Sequence, residues 1–322
     1  MLILSGLLAL GACALRLLIG PEGLGWPPEA LVWELRTLRV IGGAAVGASL
    51  AIGGVLLQCL LRNPLASPDV LGVSSGASLG VVVAVFVAGG GASAAAWQVV
   101  PALLGAGGAL MLVLGLSGGA RAGDGGVEGD RAGLIVTGVV VSVLCGAGVM
   151  FFQHLMPDAG YATTRLLMGG LHDDTAAPVT MGVLALALIG AGVATWLGPA
   201  LDALRLSADE ALSVGVPVAR MRRGALVLTG VLAAGAVVVA GPVGFVGLMA
   251  PHVASLMLGV REGRHRLLVP VAGLMGVAIV VGADGLIRAV NLGAGRMPLG
   301  VLTALLGAPT LLALLRGAKE RA

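Results

Sequence analysis

The chain has 322 residues, of which 58% are hydrophobic and 11% charged. A soluble domain carries about a quarter charged residues, so this composition excludes an ordinary aqueous surface. The net charge of +3 is too small for a chain of this length to suggest a nucleic-acid partner.

Ten apolar runs follow one another, at about 1–19, 39–61, 70–88, 97–116, 133–153, 178–197, 224–240, 246–259, 267–290 and 298–315. Several reach the roughly 18 residues that cross about 30 Å of hydrocarbon. They lack the two-residue alternation of barrel strands, and backbone polar groups in lipid must be satisfied within the segment. The expected fold is all-α: one polytopic membrane bundle of about ten transmembrane helices, a single domain over residues 1–322. Many of the 55 glycines gather in small-residue patches such as Gly42-Gly43-Ala44-Ala45, which let membrane helices approach closely.

The first run contains Leu10-Gly11-Ala12-Cys13, which resembles a lipoprotein cleavage box. Residues 1–12 carry no Lys or Arg, whereas a signal peptide starts basic, so a first transmembrane helix is expected. Pro21, Pro27 and Pro28 then precede an amphipathic piece, Glu29 to Leu38 with Trp33, expected on the outer interface. The second run ends in Arg62-Asn63-Pro64-Leu65-Ala66-Ser67-Pro68. Each proline forces extended backbone on the residue before it, so a rigid turn is expected. Gly72, Gly76 and Gly80 recur every fourth residue and predict a smooth packing face on the third helix. Residues 117–132, polar and glycine-rich, are expected to form a flexible cytoplasmic loop.

Residues 198–223 form the longest polar stretch with helical character. Ser207 can cap a short helix whose first turn holds Asp209 and Glu210, which suits the helix dipole. Gly215 fits its C-terminus, and Pro217 fits the first turn of a helix starting near Val218. Ala211, Leu212, Val214 and Val216 are expected to form an exposed apolar patch, a docking site by default. Gly241-Pro242 breaks the seventh run, and such breaks occur where backbone lines a cavity or is buried in protein. The eighth run is then short, consistent with a half-depth helix. Asp284 is the clearest charge inside an apolar run, and Arg288 lies one turn on. A structural ion pair between them near the outer interface is expected.

Orientation follows the distribution of Lys and Arg. With alternating spans and the N-terminus inside, thirteen of the 19 fall on the cytoplasmic side. Both termini are therefore expected in the cytoplasm. There is no G-x-x-x-x-G-K-[ST] phosphate loop, and the single lysine, Lys319, lies near the C-terminus. No Ser-His-Asp, Cys-His or paired-carboxylate pattern emerges. Cys13, Cys59 and Cys145 each sit in an apolar run, and His154, His172, His252 and His265 are scattered, so neither a disulfide nor a metal site is expected.

The run Arg62-Asn63-Pro64-Leu65-Ala66-Ser67-Pro68-Asp69-Val70-Leu71-Gly72-Val73-Ser74-Ser75-Gly76-Ala77, preceded by Gln58, resembles a block of the FecCD-type permeases, the iron-chelate, siderophore, haem and cobalamin permeases of type II ABC importers. Gly241 to His252, with Gly244, Phe245, Pro251 and His252, resembles a second block. Ala283-Asp284, Pro298-Leu299-Gly300 and Leu306-Gly307-Ala308-Pro309 resemble the C-terminal blocks. The resemblance runs over nearly the whole chain.

That resemblance implies a permease that imports a metal chelate, a ferric siderophore first and haem or cobalamin next, across a bacterial inner membrane. It implies a second permease subunit, a homodimer in the simplest case, with two cytoplasmic ATPase subunits and a soluble or lipid-anchored binding protein. It implies no enzyme activity or cofactor in this chain, ATP and Mg being used by the ATPase. The segment at about 204–222 resembles the coupling helices, which contact the ATPase. Arg36, Arg39 and Arg288 match outer positions that receive acidic groups of the binding protein. Gln58, Asn63, Pro64, Gly72, Gly76, Gly244, Phe245, Pro251, His252 and Asp284 are the motif and pathway candidates. Two positions depart from the pattern: Ser255 stands where Arg is frequent, and Arg296-Met297-Pro298 where Glu-Leu-Pro or Glu-Ile-Pro is frequent before the last helix. The rival readings are an ATPase-independent secondary transporter and an intramembrane enzyme. The first would show inverted repeats and midplane coupling residues, and neither is found beyond Asp284.

Overall fold

The computed structural model describes residues 1–20, 23–26, 29–89, 95–116, 131–156, 168–171, 175–206, 208–259, 263–289 and 297–319. The chain opens with α1 (Leu2–Leu18) and a small antiparallel hairpin, β1 (Ile19–Gly20) with β2 (Gly23–Leu24). Then come α2 (Ala30–Leu61), α3 (Val73–Val87), α4 (Ala95–Leu116), α5 (Arg131–Leu155) and α6 (Ala177–Trp196). Two short helices, α7 (Gly198–Ala203) and α8 (Ala208–Ser213), precede α9 (Val218–Ala240), α10 (Val246–Leu258), α11 (His265–Ala289) and α12 (Leu299–Lys319). Among the described residues, six helices are long and apolar enough to cross a membrane, and four apolar helices are shorter.

Burial ranks the helices. In α2, 78% of the most apolar window is buried, against 22% in α5. α2 is therefore the axis of the bundle; α11, α9, α6 and α10 surround it, and α5 lies outside, against α3 and α4. Glycine makes the central crossings possible. A Cβ on Gly47 would overlap the Gly276 carbonyl of α11, and one on Gly54 would overlap the Gly247 carbonyl of α10. Backbones this close gain dispersion contacts that larger residues would block.

Two expectations are corrected here. Glu29 to Leu38 is not a separate interfacial piece: Ala30–Leu61 is one helix of 32 residues, about 48 Å long, because no Gly or Pro interrupts Leu31 to Ile41. The glycine face of α3 consists of Gly76 and Gly80, packed on Gly105 and Pro101 of α4. Gly72 instead precedes the helix at φ 73 and lies against Val141 and Ser142 of α5.

Candidate functional site

The polar segment after α6 is tied to the bundle at three points. Cys59 of α2 donates to the Leu201 carbonyl at 3.2 Å. Asp202 Oδ1 accepts the His265 backbone N–H at 3.1 Å and lies 2.5 Å from His265 Nδ1, which anchors the start of α11. Arg62 donates to the Leu204 carbonyl at 3.2 and 3.0 Å and also to Leu206. Arg62 itself sits at φ 46, ending α2 in a left-handed cap. Such a conformation costs a non-glycine residue about 1–2 kcal/mol, and the hydrogen bonds to the segment offset it.

The helix expected after Ser207 is α8, and its end is built as expected. Gly215 has φ 80, its N–H reaches the Leu212 carbonyl at 2.9 Å, and the Val216 N–H reaches Ala211 at 3.0 Å. This is a Schellman turn, and Pro217 follows as the N-cap of α9. The same turn corrects the expected patch. It folds Val216 back against the core, and Ala211 is only 1% exposed. Leu212 at 53% and Val214 at 63% remain, with Leu206 beside them in sequence order. Glu210 is exposed on α8. Ser207 lies outside the described residues, as does the Asp209 side chain.

Gly215→Val is expected to weaken this turn by about 1–2 kcal/mol, the price of φ > 0 for a β-branched residue. Nothing lies within 4 Å of a Cβ built there, so the cost is conformational and Gly215→Asn should be tolerated. Limited proteolysis of the segment in both variants checks this: faster cleavage of the Val variant alone is expected.

At the opposite end, Asp284 of α11 is 2% exposed. Arg16 of α1 donates its Nε to the carboxylate, and Arg39 of α2 adds Nε contacts at 3.1 and 3.2 Å. The carboxylate assigned by spacing to Arg288 is thus held by cations of two other helices, because α1 packs directly on α11. Arg16 also donates to the Ile19 carbonyl at 3.2 Å. Arg36 donates to the Leu17 and Gly25 carbonyls at 2.7 and 3.2 Å and so braces the α1–α2 connection. Beside it Trp26 and Trp33 stack, ring centroids 4.9 Å apart. Arg288 is half-buried on α11, and Arg296 lies outside the described residues.

Between these ends, α9 stops at Gly241, and the chain runs non-helically to Phe245, at φ 67, before α10 begins. Gln58 of α2 points its amide at the Gly247 carbonyl, 3.5 Å away. The break backs onto α12, where Phe245 covers Gly307. A groove of about 590 Å³ opens here, lined by Met168, Pro242, Gly244, Val301, Ala304 and Leu305. The structure therefore gathers Gln58, Gly244 and Phe245 around one break. It leaves Asn63 and Pro64 in the turn after α2, where Asn63 Oδ1 accepts the Leu65 N–H at 2.9 Å. Gly76 belongs to the α3–α4 contact, and Pro251 and His252 lie within α10. Ser255 donates to the His252 carbonyl at 2.8 Å, a local bond that accommodates this departure from the motif. Among the described residues no group of three His, Cys, Asp or Glu side chains is placed to hold a metal ion.

Arg16, Asp202 and His265 were not singled out from sequence for these contacts. A lone Arg in the first run, facing a lone Asp in the ninth, was the available signal for the outer cluster.

The model of the FecCD transport family matches residues 13–317. The chain is 37% identical over 312 residues to the vitamin B12 import system permease protein BtuC of Vibrio cholerae, covering 94% of this chain and 89% of that one. It is 33% identical over 306 residues to the Fe(3+) dicitrate transport system permease protein FecC of Escherichia coli, covering 95% and 89%. A solved structure described as an inward-facing conformation of a metal-chelate type ABC transporter superposes with a TM-score of 0.82 at 27% identity, covering 98% of each chain.

Proposed function

The chain belongs to the FecCD transport family, and from that premise we propose that it imports a bulky metal chelate, with cobalamin the first cargo to test. It is a polytopic membrane permease of an ABC importer, a transport component whose ATP is hydrolysed by a separate ATPase subunit. The observation that carries the cargo reading is the apolar groove of about 590 Å³ at the α9–α10 break, taken with the 37% identity to a vitamin B12 permease. A ferric chelate is the second reading, favoured by the 33% identity to the dicitrate permease. Uptake of radiolabelled cyanocobalamin and of radiolabelled ferric citrate, in cells whose own permeases are deleted, separates the two. Accumulation of the cobalamin alone is expected; accumulation of iron alone replaces the first reading with the second.

The groove is open on one side of a single chain, so a second permease, a homodimer in the simplest case, closes the pathway. In this reading both termini are cytoplasmic, and the ATPase docks on Leu206, Leu212 and Val214. Movement of that segment reaches α2 through Arg62 and α11 through Asp202 and His265. A binding protein docks on the outer face, where Arg36, Arg39 and Arg288 supply positive charge. Arg39 is already engaged with Asp284, so Arg36 is the cleaner probe. Arg36→Gln, which keeps hydrogen-bond donors for the two carbonyls, is expected to slow association with the binding protein by about two- to fivefold at low salt. Dissociation should change less, and the salt dependence should flatten. Surface plasmon resonance at two ionic strengths checks this; unchanged association at low salt would leave Arg36 as a brace for the α1–α2 connection alone.

A further inference from the structure

On an exposed flank of the bundle, α6 and α9 enclose a second groove, of about 710 Å³. Its floor reaches Leu56 of α2, and its walls are apolar, with Val193 and Leu197 on one side and Val227 and Val231 on the other. At one end the lining changes to Arg220 and Arg223. Positions 220, 223, 227 and 231 fall on successive turns of one face of α9, so a basic end and an apolar trough are continuous. Gly224 lines the trough, and a Cβ built there would project into open space.

Both arginines are exposed. Arg220 has no hydrogen bond or ion pair with any described residue, and Arg223 makes one bond, to the Ala219 carbonyl at 3.3 Å. Trp196, 79% exposed, ends α6 just before Leu197 of the groove wall. Exposed tryptophan at the end of an apolar helix marks the headgroup level of a bilayer. Arg220 stands in the first turn of α9, where the helix dipole also favours negative charge, and Arg223 follows one turn on. The site thus offers two cations with no acidic partner among the described residues, at headgroup depth, and an apolar trough running inward from them.

We propose that this groove binds an anionic diacyl phospholipid, its phosphate between Arg220 and Arg223 and its acyl chains along the α6–α9 trough. The assignment to the cytoplasmic leaflet rests on the orientation given above. A zwitterionic lipid would fill the trough equally well and offer the same phosphate, but its cationic headgroup would oppose the two arginines, so the site discriminates by net headgroup charge.

The test is native mass spectrometry of the full-length permease in detergent, titrated with dioleoylphosphatidylglycerol or dioleoylphosphatidylcholine. Wild type is expected to retain phosphatidylglycerol at about tenfold lower lipid concentration, the preference that two arginines confer at a charged headgroup. Arg220→Gln with Arg223→Gln should bring the two lipids to parity. Gly224→Leu, which adds a side chain into open space, should reduce retention of both lipids while the arginines remain. Equal retention by wild type, or an unchanged preference in the double variant, overturns the site. So does loss of phosphatidylglycerol when the ATPase subunits bind, which would assign the face to them. Dimer loss in Gly224→Leu without loss of lipid would assign it to a second copy and likewise overturn the proposal. Lipid retention is read without transport, so its failure leaves the importer reading intact. Accessibility labelling of a Ser213→Cys variant in sealed vesicles tests the orientation separately.

Discussion

Asp284→Asn is expected to be the most damaging single substitution described here, costing about 3–5 kcal/mol of stability. Asp284 is buried between Arg16 and Arg39, whose side chains are 2% and 11% exposed. Loss of the carboxylate removes the acceptor that Arg16 and Arg39 share and leaves the Arg16 guanidinium buried beside a neutral amide. Asparagine fits the space and still accepts a hydrogen bond, so the loss measures charge rather than volume. Arg16→Met is expected to cost less, because the Asp284–Arg39 pair survives it. Adding Arg16→Met to Asp284→Asn should recover part of the loss, since Arg39 can then extend toward the headgroups. Thermal unfolding in detergent checks the series. If Asp284→Asn stays within about 1 kcal/mol of wild type, the cluster is a surface-like ion pair of the kind worth little.

Leu212→Asp is expected to have the largest functional effect with the smallest effect on folding. Leu212 is exposed on α8, within the Schellman turn that folds Val216 inward, while its neighbour Ala211 is buried. An aspartate there meets water in the free permease and so leaves its stability within about 0.5 kcal/mol of wild type. At an interface, a buried unpaired carboxylate costs several kcal/mol, enough to weaken ATPase association by about 100-fold or more. Co-purification of the ATPase with the variant, alongside its thermal midpoint, separates the two effects. Full ATPase retention and full uptake would remove this face from the coupling surface.

The legibility of this molecule in its sequence depended on the kind of interaction. Apolar runs placed the helices, because hydrocarbon leaves the backbone no alternative, and Gly241-Pro242 placed the break before α10. Gly215 was readable because one backbone conformation suits it. Arg16, Asp284 and Arg39 were not joined in advance, because their partnership depends on α1 lying along α11, a contact between opposite ends of the chain. The expected exposure of Ala211 and Val216 fails for a related reason: sequence shows which residues are apolar, and the turn decides whether they are covered. The continuity of α2 across Leu38 was missed because polar residues at a membrane interface resemble a boundary even where no residue breaks the helix.

In the proposed function, this chain moves its cargo only as part of an ATP-driven assembly. The direct measurement is uptake of radiolabelled cyanocobalamin into proteoliposomes holding the permease and its ATPase, with binding protein outside and ATP inside. Accumulation that requires the ATPase, ATP and the binding protein together is the predicted result, and it should vanish with Leu212→Asp. Accumulation by the permease alone, driven by an ion gradient and indifferent to ATP, would instead make it a secondary transporter.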